Sequence, residues 1–430
     1  MQLKGKRIPS LREQAVWNAI AGALCALEAV IMSIVSSRVL GLTATGELTI
    51  AFAFGNLFRT IGLWGIRNYH LSDLRFEYSF NEYRKARYFS IMLMLIAIIV
   101  NALYLLLSAS TIEKLLVVIL IEAVYLLECY EDLIGGEYQR RGRLDIGAKL
   151  FLIRWSSLLL VYSLSVYLFK SLVFALLFSV VISSMLFFIT LSYGFGLPKD
   201  LEDRKQDRGL LSDKQKKLLL TTFPLFLISF LTFFLNNIAK YSLDYYYEES
   251  IQACFGFIAL SIFAVEMISG FLYQPKLTRI SQLWIEKRIK DFWVEIVKQI
   301  FLILIITIIC LLGGWWIGVP VLSFLFSTDL SPYKVDLLIN IIAGGAMSYV
   351  MYASALLTIM RKQKLQLYIY IITTILGSLF IWETVKLHCI RGGSFGNLIV
   401  FVIQAVAMNI AVFATIGHNK KSEYKSEGKV

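Results

Sequence analysis

The sequence predicts an all-α protein that crosses a membrane many times. Apolar residues make up 58% of the 430 residues and charged residues only 17%, whereas soluble proteins carry about 25% charged residues. The apolar residues fall in runs of about 18–24, enough for an α-helix to cross a hydrocarbon layer of about 30 Å. No small-residue cleavage site follows the first run, residues 16–35. We therefore expect it to remain as a span rather than be removed as a signal peptide.

About twelve such runs follow one another, and we predict a transmembrane helix for each. They cover residues 14–36, 44–66, 88–108, 112–134, 150–168, 171–193, 218–239, 251–273, 295–319, 335–359, 365–385 and 395–417.

Lys and Arg are distributed unequally between the two sides of these spans. Most of the 42 Lys and Arg residues lie in alternate segments, beginning with the N-terminus and ending with the C-terminal tail. Because cytoplasmic segments carry such an excess, both termini are predicted to be cytoplasmic. Anionic lipid headgroups then explain the net charge of +12, and no nucleic-acid partner is expected. The opposite side holds only Arg38, Lys114, Lys170, Lys240, Lys334, Lys386 and Arg391.

The chain divides into two halves of six predicted helices, residues 1–205 and 206–430. The longest cytoplasmic loop, GFGLPKDLEDRKQDRGLLSDKQKK, follows the sixth span. A basic loop rich in Trp or Tyr follows the second helix of each half, RNYHLSDLRFEYSFNEYRKAR in the first and QPKLTRISQLWIEKRIK in the second. Such loops are typical of interfacial helices. We predict two lobes related as parallel repeats, an arrangement that places a substrate cavity between the lobes near the midplane.

Motifs of enzymes and ATPases are missing from the sequence. It contains no GxxxxGK[ST], GxSxG or HExxH pattern, and its five Cys and three His are scattered without the spacing of metal ligands. The predicted external loops are too short to form an aqueous catalytic domain. We therefore predict a protein that is not an enzyme and needs no metal or other cofactor. A transporter, a channel or a membrane scaffold remains.

Several charged side chains lie inside the predicted spans, where a charge costs at least about 2.5–3.5 kcal/mol. Glu28 is too short to reach the headgroups, so it is neutral, paired or facing a water-filled cavity. Arg59 lies about two turns from the end of its span and is expected to face such a cavity, where pairing with Glu28 is one option. Arg154 and Lys298 lie near cytoplasmic ends and are expected to extend to the headgroups.

Two further carboxylates lie at the cytoplasmic edge of the fourth span. Glu131 and Asp132 precede the basic sequence GGEYQRRGR. We expect them to pair with that loop.

The segment LNNIAKYSLDYYYEES, residues 235–250, ends the seventh predicted span. Its Tyr cluster and acidic residues are typical of a membrane interface. Lys240 precedes Asp244 by one turn, and this order makes a weak helix-stabilising pair. We interpret Asn236, Asn237 and Lys240 as facing the cavity, with Asp244 restraining Lys240. An ordinary end-cap is the alternative.

Five segments in collinear order carry a resemblance that covers nearly the whole chain. They are GIRNYHLSDLRFEYSFNEYRKAR (65–87), EDLIGGEYQRRGRLDIGAKLFLIR (131–154), FPLFLISFLTFFLNNIAKYSLD (223–244), QACFGFIALSIFAVEMISGFLYQPKLTRISQLW (252–284) and LTIMRKQK (357–364). Together they resemble the Wzx-type oligosaccharide flippases of capsular and lipopolysaccharide biosynthesis, in the MATE-like MOP exporter superfamily. This family usually carries Pro before the Lys of AKYSLD. Here Ala239 stands instead, which argues against a sharp break of the seventh helix.

The resemblance implies a multi-pass protein of the bacterial cytoplasmic membrane with two six-helix lobes of the MATE-like fold. Its implied substrate is an undecaprenyl-pyrophosphate-linked oligosaccharide, moved to the outer leaflet by alternating access. Membrane lipids and other polysaccharide-assembly proteins are its expected partners, and an H⁺ or Na⁺ gradient is a candidate driving force.

Such a substrate assigns roles to the polar residues identified above. A pyrophosphate needs cationic partners when it leaves water, and these are predicted to be Arg59 and Lys240 within the membrane, with Arg38 and Arg67 at the two mouths. Sugars would contact Tyr241, Asn236, Asn237 and Asn56. The candidates for binding a coupling ion are Glu28, Glu122, Glu266 and Asp244.

Two other functional classes are compatible with the same spans. A MATE-like exporter of small cationic compounds would have an acidic cavity with few basic groups, so it would not need Arg59. A membrane scaffold or an integral-membrane enzyme of cell-wall assembly would tolerate substitution of its intramembrane polar residues. A major-facilitator transporter also has two six-helix halves, but its Gly-x-x-x-Asp-Arg-x-Gly-Arg-Arg pattern is missing after the second helix.

Overall fold

The computed structural model describes residues 9–73, 77–108, 110–190 and 212–427. These residues form helices and turns and contain no β-strand. Side chains are described to residue 417, apart from Leu11. The all-α class is thus confirmed.

In the described part of the chain, seven α-helices precede residue 191: α1 Leu11–Val39, α2 Leu42–Leu63, α3 Ile66–Ser72, α4 Phe80–Leu107, α5 Ile112–Arg140, α6 Leu144–Phe169 and α7 Leu172–Thr190. Seven more follow residue 211: α8 Asp213–Tyr246, α9 Glu249–Tyr273, α10 Leu277–Ile285, α11 Ile289–Gly313, α12 Val319–Phe326, α13 Lys334–Ile359 and α14 Gln363–Glu427. Each basic loop predicted to hold an interfacial helix does contain a short one, α3 in the first and α10 in the second. Helix α8 runs unbroken past Ala239, as its lack of Pro there predicts.

Length and hydropathy qualify nine of the described helical segments as membrane spans, and the bent pair α2–α3 makes a tenth. Each of the twelve predicted spans overlaps a helix. Helix α5 is not among the ten because its carboxylates and cations interrupt every apolar window. The count of twelve and the cytoplasmic location of the termini stay predictions.

Helix α14 folds back on itself at Cys389, whose backbone has φ 51° and ψ −130°. A Cβ atom on Gly377 would contact Val400 at 2.6 Å, and one on Gly396 would contact Ile381 at 3.0 Å. Both contacts join a residue before Cys389 to a residue after it, and the contact between the residues nearer Cys389 in sequence also lies nearer the turn. The two halves of α14 are therefore antiparallel. They correspond to the two predicted spans 365–385 and 395–417.

Packing divides the described chain into two compact units, with the division after Phe230. The predicted lobe boundary at residue 205/206 falls in residues 191–211, outside the described residues. Trp64 explains why the first turns of α8 belong to the first unit. Its indole N–H donates to the carbonyl of Leu219 at 3.1 Å, and its ring stacks on Phe226 with centroids 4.1 Å apart.

In the first unit, α2 packs on α4 and α5, α1 packs on α2 and α6, and α7 packs on α5 and α6. The α2–α5 contact is close because glycines of α2 face α5. A Cβ atom on Gly55 would lie 2.7 Å from the Tyr125 ring, and one on Gly62 would lie 2.5 Å from Cys129 Sγ. This close approach brings the polar side chains of the two helices together.

In the second unit, α13 packs on α9, α11 and α14. The rings of Phe257 and Phe326 stack with centroids 3.9 Å apart. Asp336 is buried in α13 and pairs with Arg391, which lies just after the turn of α14, at 2.6 Å. The ion pair thus joins α13 to the α14 turn.

The turn after α3 is organised by Asp73. Its carboxylate accepts the backbone N–H groups of Glu77 and Tyr78, at 3.0 and 3.2 Å, and the hydroxyl of Tyr83 at 3.0 Å. Burial acts to raise the pKa of Asp73, but these hydrogen bonds outweigh it and hold the pKa below its usual value.

We expect Asp73→Asn to flatten the acid limb of the stability profile. A carboxylate whose folded pKa is lowered stabilises the protein above its unfolded pKa of about 3.9 and stops doing so as the pH falls through the folded pKa. Melting temperatures in detergent between about pH 3 and pH 6 measure the effect. Asp213→Asn is the matched control because the Asp213 side chain is fully solvent-exposed. Parallel pH profiles for the wild type and Asp73→Asn would contradict the prediction.

Candidate functional site

A polar stripe on α5 forms the centre of the first unit's charged cluster. Tyr125, Glu128 and Asp132 are separated by three and four residues, a spacing that places them on one face of a helix. That face meets α2, whose glycines permit the close contact described above. The helix pair therefore determines which charges can meet inside the first unit.

Arg59 of α2 forms an ion pair with Glu128 of α5. The Arg59 side chain is 23% exposed and the Glu128 side chain 5%. The guanidinium also lies over the Tyr125 ring, 5.6 Å from its centroid. The cation is thus reachable from solvent while its counterion is buried.

Tyr125 also connects Glu28 of α1 to this cluster. Its hydroxyl donates to Glu28 Oε1 at 2.6 Å and accepts from the Asn56 amide at 3.2 Å. The direct Glu28–Arg59 pair considered from the sequence is not formed, because Tyr125 bonds Glu28 while Glu128 takes the guanidinium. Glu28 nevertheless belongs to the same cluster.

A second set of ion pairs lies nearer the predicted cytoplasmic end. Asp132 accepts from Arg67 at 2.9 Å and from Arg87 at 2.8 Å, and Arg87 also donates to the carbonyl of Gly62 at 2.6 Å. Arg67 donates in addition to Gln139 at 3.0 Å. The expected pairing of Asp132 with the basic loop is wrong, because Asp132 pairs with arginines of α3 and α4 instead.

Arg154 does not extend to the headgroups as expected. Its side chain is only 3% exposed and forms an ion pair with Glu131 at 2.5 Å, and it donates to Ser183 at 3.0 Å. Arg154 is buried between α5 and α7, where Arg154 and Glu131 compensate each other's charge. Glu131 therefore pairs with Arg154 rather than with the basic loop, whereas Lys298 is 62% exposed, as the headgroup expectation requires, and pairs with Glu295.

A cavity of about 230 Å³ opens between these ion pairs and α1 and α6. Three buried atoms beside or near it, Glu28 Oε2, Arg59 Nε and Glu128 Oε2, have no hydrogen-bond partner within the described residues. A buried polar atom without a partner costs about 1–3 kcal/mol, so such atoms favour binding of an ion, a proton or a polar ligand. The polar lining consists of Asn18, Cys25, Arg59, Arg67, Glu128, Glu131 and Asp132.

The structure brings together four of the predicted site residues, Glu28, Asn56, Arg59 and Arg67. Two others of the first unit lie elsewhere. Arg38 is exposed at the last turn of α1, and Glu122 is buried against α4, where it accepts from Asn101 at 3.2 Å.

The remaining predicted residues belong to the second unit. On α8, the Asn237 amide donates to its own helix at Phe233, 2.9 Å away, and Tyr241 lies against Phe234 with ring centroids 5.9 Å apart. Asn236 Oδ1 is buried without a partner in the described part of the chain. Glu266 lies half-buried on α9.

Lys240 is half-buried and makes no ion pair within the residues that the structure describes. The predicted restraint of Lys240 by Asp244 is therefore not formed, although one helical turn separates the two residues. Lys240 is thus a cation in an apolar helix whose charge is uncompensated by the described residues.

Glu128 and Tyr125 are the most important residues that sequence reasoning did not select. Their spacing on α5, together with Asp132, was the available signal. The partner of Arg59 was not readable from the sequence, because the identity of the facing helix depends on tertiary packing.

Solved structures similar to this chain over nearly its whole length include transporters. An inward-facing multidrug resistance MATE family transporter of the MOP superfamily covers 95% of this chain and 99% of its own, with a TM-score of 0.70 at 14% identity. The eukaryotic MATE transporter AtDTX14 covers 96% of this chain and 99% of its own, with a TM-score of 0.64 at 13% identity. The chain has the MATE fold.

A third similar structure is notable for the polarity of its binding pocket. It is a MOP superfamily transporter from Pyrococcus furiosus, described as having a binding pocket of reverse polarity that suggests a different function. It covers 94% of this chain and 95% of its own, with a TM-score of 0.56 at 14% identity. No protein-family model matches the sequence, and neither does any curated protein.

Proposed function

We propose that this MATE-fold protein is a flippase for undecaprenyl-pyrophosphate-linked oligosaccharide repeat units, working by alternating access. The observation that carries the proposal is Arg59, a cavity-lining arginine in an apolar helix with one N–H unsatisfied by the described residues. Arginine is suited to a pyrophosphate because its planar fork donates two parallel hydrogen bonds. The MATE fold supports the broader part of the proposal, a membrane exporter.

The ion pair with Glu128 provides a physical route to coupling. A pyrophosphate that binds Arg59 competes with Glu128 for the same guanidinium. Glu128 would then be a buried carboxylate without its countercharge, a state that favours taking up a proton or a cation. We propose that substrate binding and ion binding are linked through this exchange of partners, with Glu28 as the second carboxylate of the cluster.

The other contacts follow the chemistry of the substrate. Arg67 offers a second guanidinium to the phosphates at the cavity edge, and Asn56 offers an amide to sugars. In the second unit, Lys240 is the proposed cation and Asn236, Asn237 and Tyr241 the proposed sugar contacts. The polyprenyl chain would remain in the lipid. The working location is the bacterial cytoplasmic membrane, beside other polysaccharide-assembly proteins, with H⁺ or Na⁺ as the driving ion.

Reconstitution tests this function directly. The protein is placed in vesicles with a fluorescent or isotope-labelled lipid-linked oligosaccharide, and exchange between leaflets is followed by access of an impermeant quencher or lectin. We expect exchange that depends on the protein and on an imposed H⁺ or Na⁺ gradient. No exchange with several candidate glycans, alongside efflux of a cationic dye from the same vesicles, would contradict the proposal.

That second outcome corresponds to the alternative function, a MATE-like exporter of small cationic compounds. Three carboxylates line the cavity, those of Glu128, Glu131 and Asp132, and they favour this alternative. Each of the three is already paired with an arginine. We therefore rank the flippase first.

A further inference from the structure

The second unit has a separate cleft of about 720 Å³ at the end of the molecule that is predicted to face the cytosol. It lies where the turn between α10 and α11 meets the turn between α13 and α14. Both turns belong to the second unit, and neither contributes to the cavity of the first. The lining includes Trp284, Ile285, Lys287, Ile289, Met360 and Arg361.

The two cations of this cleft occupy equivalent backbone positions. Lys287 and Arg361 each follow the C-terminus of a helix with φ 56°, a left-handed conformation that favours glycine. In each turn the N–H of the following residue donates to the carbonyl five residues back, at 3.0 Å after Lys287 and 2.8 Å after Arg361. Both turns therefore close the helix as a Schellman motif, and in both a long cation stands where glycine would be the easier residue.

Neither cation has a counterion among the residues that the structure describes. Within the described residues, no carboxylate lies within ion-pair distance of Lys287 or Arg361, whereas the neighbouring acids Glu286 and Asp291 both pair with Arg288, at 3.7 and 2.6 Å. Lys290 and Lys362, which adjoin the two turns in sequence, are likewise absent from the ion pairs of the described chain. The cleft therefore has a local excess of positive charge that the described residues do not neutralise.

The same cleft has an apolar side. Trp284 packs on Phe292 with ring centroids 5.0 Å apart, which holds its indole at the cleft wall. Ile285 is 75% exposed, and Ile289 continues the apolar surface at the start of α11. A basic rim beside a half-buried Trp side chain and an exposed Ile side chain matches the boundary between headgroups and acyl chains.

We propose that this cleft binds one anionic glycerophospholipid of the cytoplasmic leaflet. The lipid phosphate lies between Lys287 and Arg361, and an acyl chain lies along Trp284 and Ile285. Such lipids are enriched in that leaflet and are attracted to clustered Lys and Arg. This site is independent of the transported substrate, so its test does not depend on the proposed function.

The test uses the full-length protein in neutral-lipid nanodiscs titrated with brominated phosphatidylglycerol, brominated phosphatidylcholine or inorganic phosphate. Bromine quenches tryptophan at short range, and the contribution of Trp284 is obtained by subtracting the signal of Trp284→Phe. We expect phosphatidylglycerol to quench Trp284 several-fold more strongly than phosphatidylcholine. Inorganic phosphate should not displace it.

Glycine substitutions separate charge from folding. Lys287→Gly with Arg361→Gly removes both cations while supplying the residue that the two turns favour, so the turns are retained and the preference for phosphatidylglycerol should be lost. Arg288→Gln is the matched control, since it removes a neighbouring charge that does not line the cleft. Native mass spectrometry of retained phosphatidylglycerol gives a second readout, should Trp284→Phe not fold.

Three results would overturn the proposal. They are equal quenching by the two lipids, an unchanged preference in the double glycine variant, and complete displacement by inorganic phosphate. The last would identify the ligand as free phosphate.

Discussion

Replacing Arg59 with alanine is expected to reduce leaflet exchange of a lipid-linked oligosaccharide by about 10- to 100-fold. A hydrogen bond to a charged group contributes about 1.5–3 kcal/mol, and each 1.4 kcal/mol corresponds to about tenfold in binding. Arg59 lines the cavity of the first unit, lies within an apolar helix and is partly exposed. Initial rates in reconstituted vesicles, corrected for inserted protein, measure the loss.

The control for Arg59→Ala must separate transport from folding, because the substitution leaves Glu128 buried without its countercharge. Arg59→Ala combined with Glu128→Gln removes both charges, so it should regain thermal stability while remaining inactive. Arg84→Ala is a matched control, since within the described residues the half-buried Arg84 side chain hydrogen-bonds only Asn81, three residues earlier, at 2.7 Å. Wild-type exchange rates in vesicles containing folded Arg59→Ala would contradict the proposed binding of the pyrophosphate by Arg59.

Replacing Arg87 with methionine is expected to destabilise the protein by about 3–5 kcal/mol, the usual result of removing one partner of a buried ion pair. Arg87 is fully buried and connects α4 to Asp132 of α5 and to the carbonyl of Gly62 in α2. Methionine keeps the apolar length of the side chain, so the loss reports the charge. Melting temperature and monodispersity in detergent measure the effect.

The double variant Arg87→Met with Asp132→Asn should recover much of that stability. It leaves no uncompensated charge at position 132, and the Gly62 carbonyl still accepts a hydrogen bond from Ser90 at 2.7 Å. Arg67 loses its carboxylate partner, but it is about one-third exposed and still donates a hydrogen bond to Gln139. Arg84→Met, on the same helix, should leave the melting temperature nearly unchanged. If Arg87→Met matched the wild type in stability, this ion-pair network would have no structural role.

Most of the architecture follows from one-dimensional patterns. Runs of apolar residues predict membrane helices because a backbone in lipid must satisfy its own hydrogen bonds. The basic loops also predicted the short helices α3 and α10. The sequence could not give the packing division after Phe230, because it depends on Trp64 stacking against a helix that begins about 150 residues later.

The sequence predicted several residues of the candidate site but not the contacts between them. Glu28 and Arg59 were identified because a charged side chain inside a span needs a partner or water. Their direct pairing was considered, yet Arg59 pairs with Glu128 and Glu28 bonds Tyr125. Arg154 was expected at the headgroups, but α7 covers it and Ser183 accepts its hydrogen bond.

The sequence by itself determined that this protein is a bundle of membrane helices with charges placed inside them. Hydropathy and charge bias reflect how each segment interacts with lipid and water, so they can be assessed without knowing which helices pack together. Only the tertiary structure decided which charges meet, because Gly55 and Gly62 let α2 approach α5 closely enough for Arg59 to reach Glu128. Ion pairing falls off over a few ångströms, so its partners depend on helix packing that no local pattern encodes.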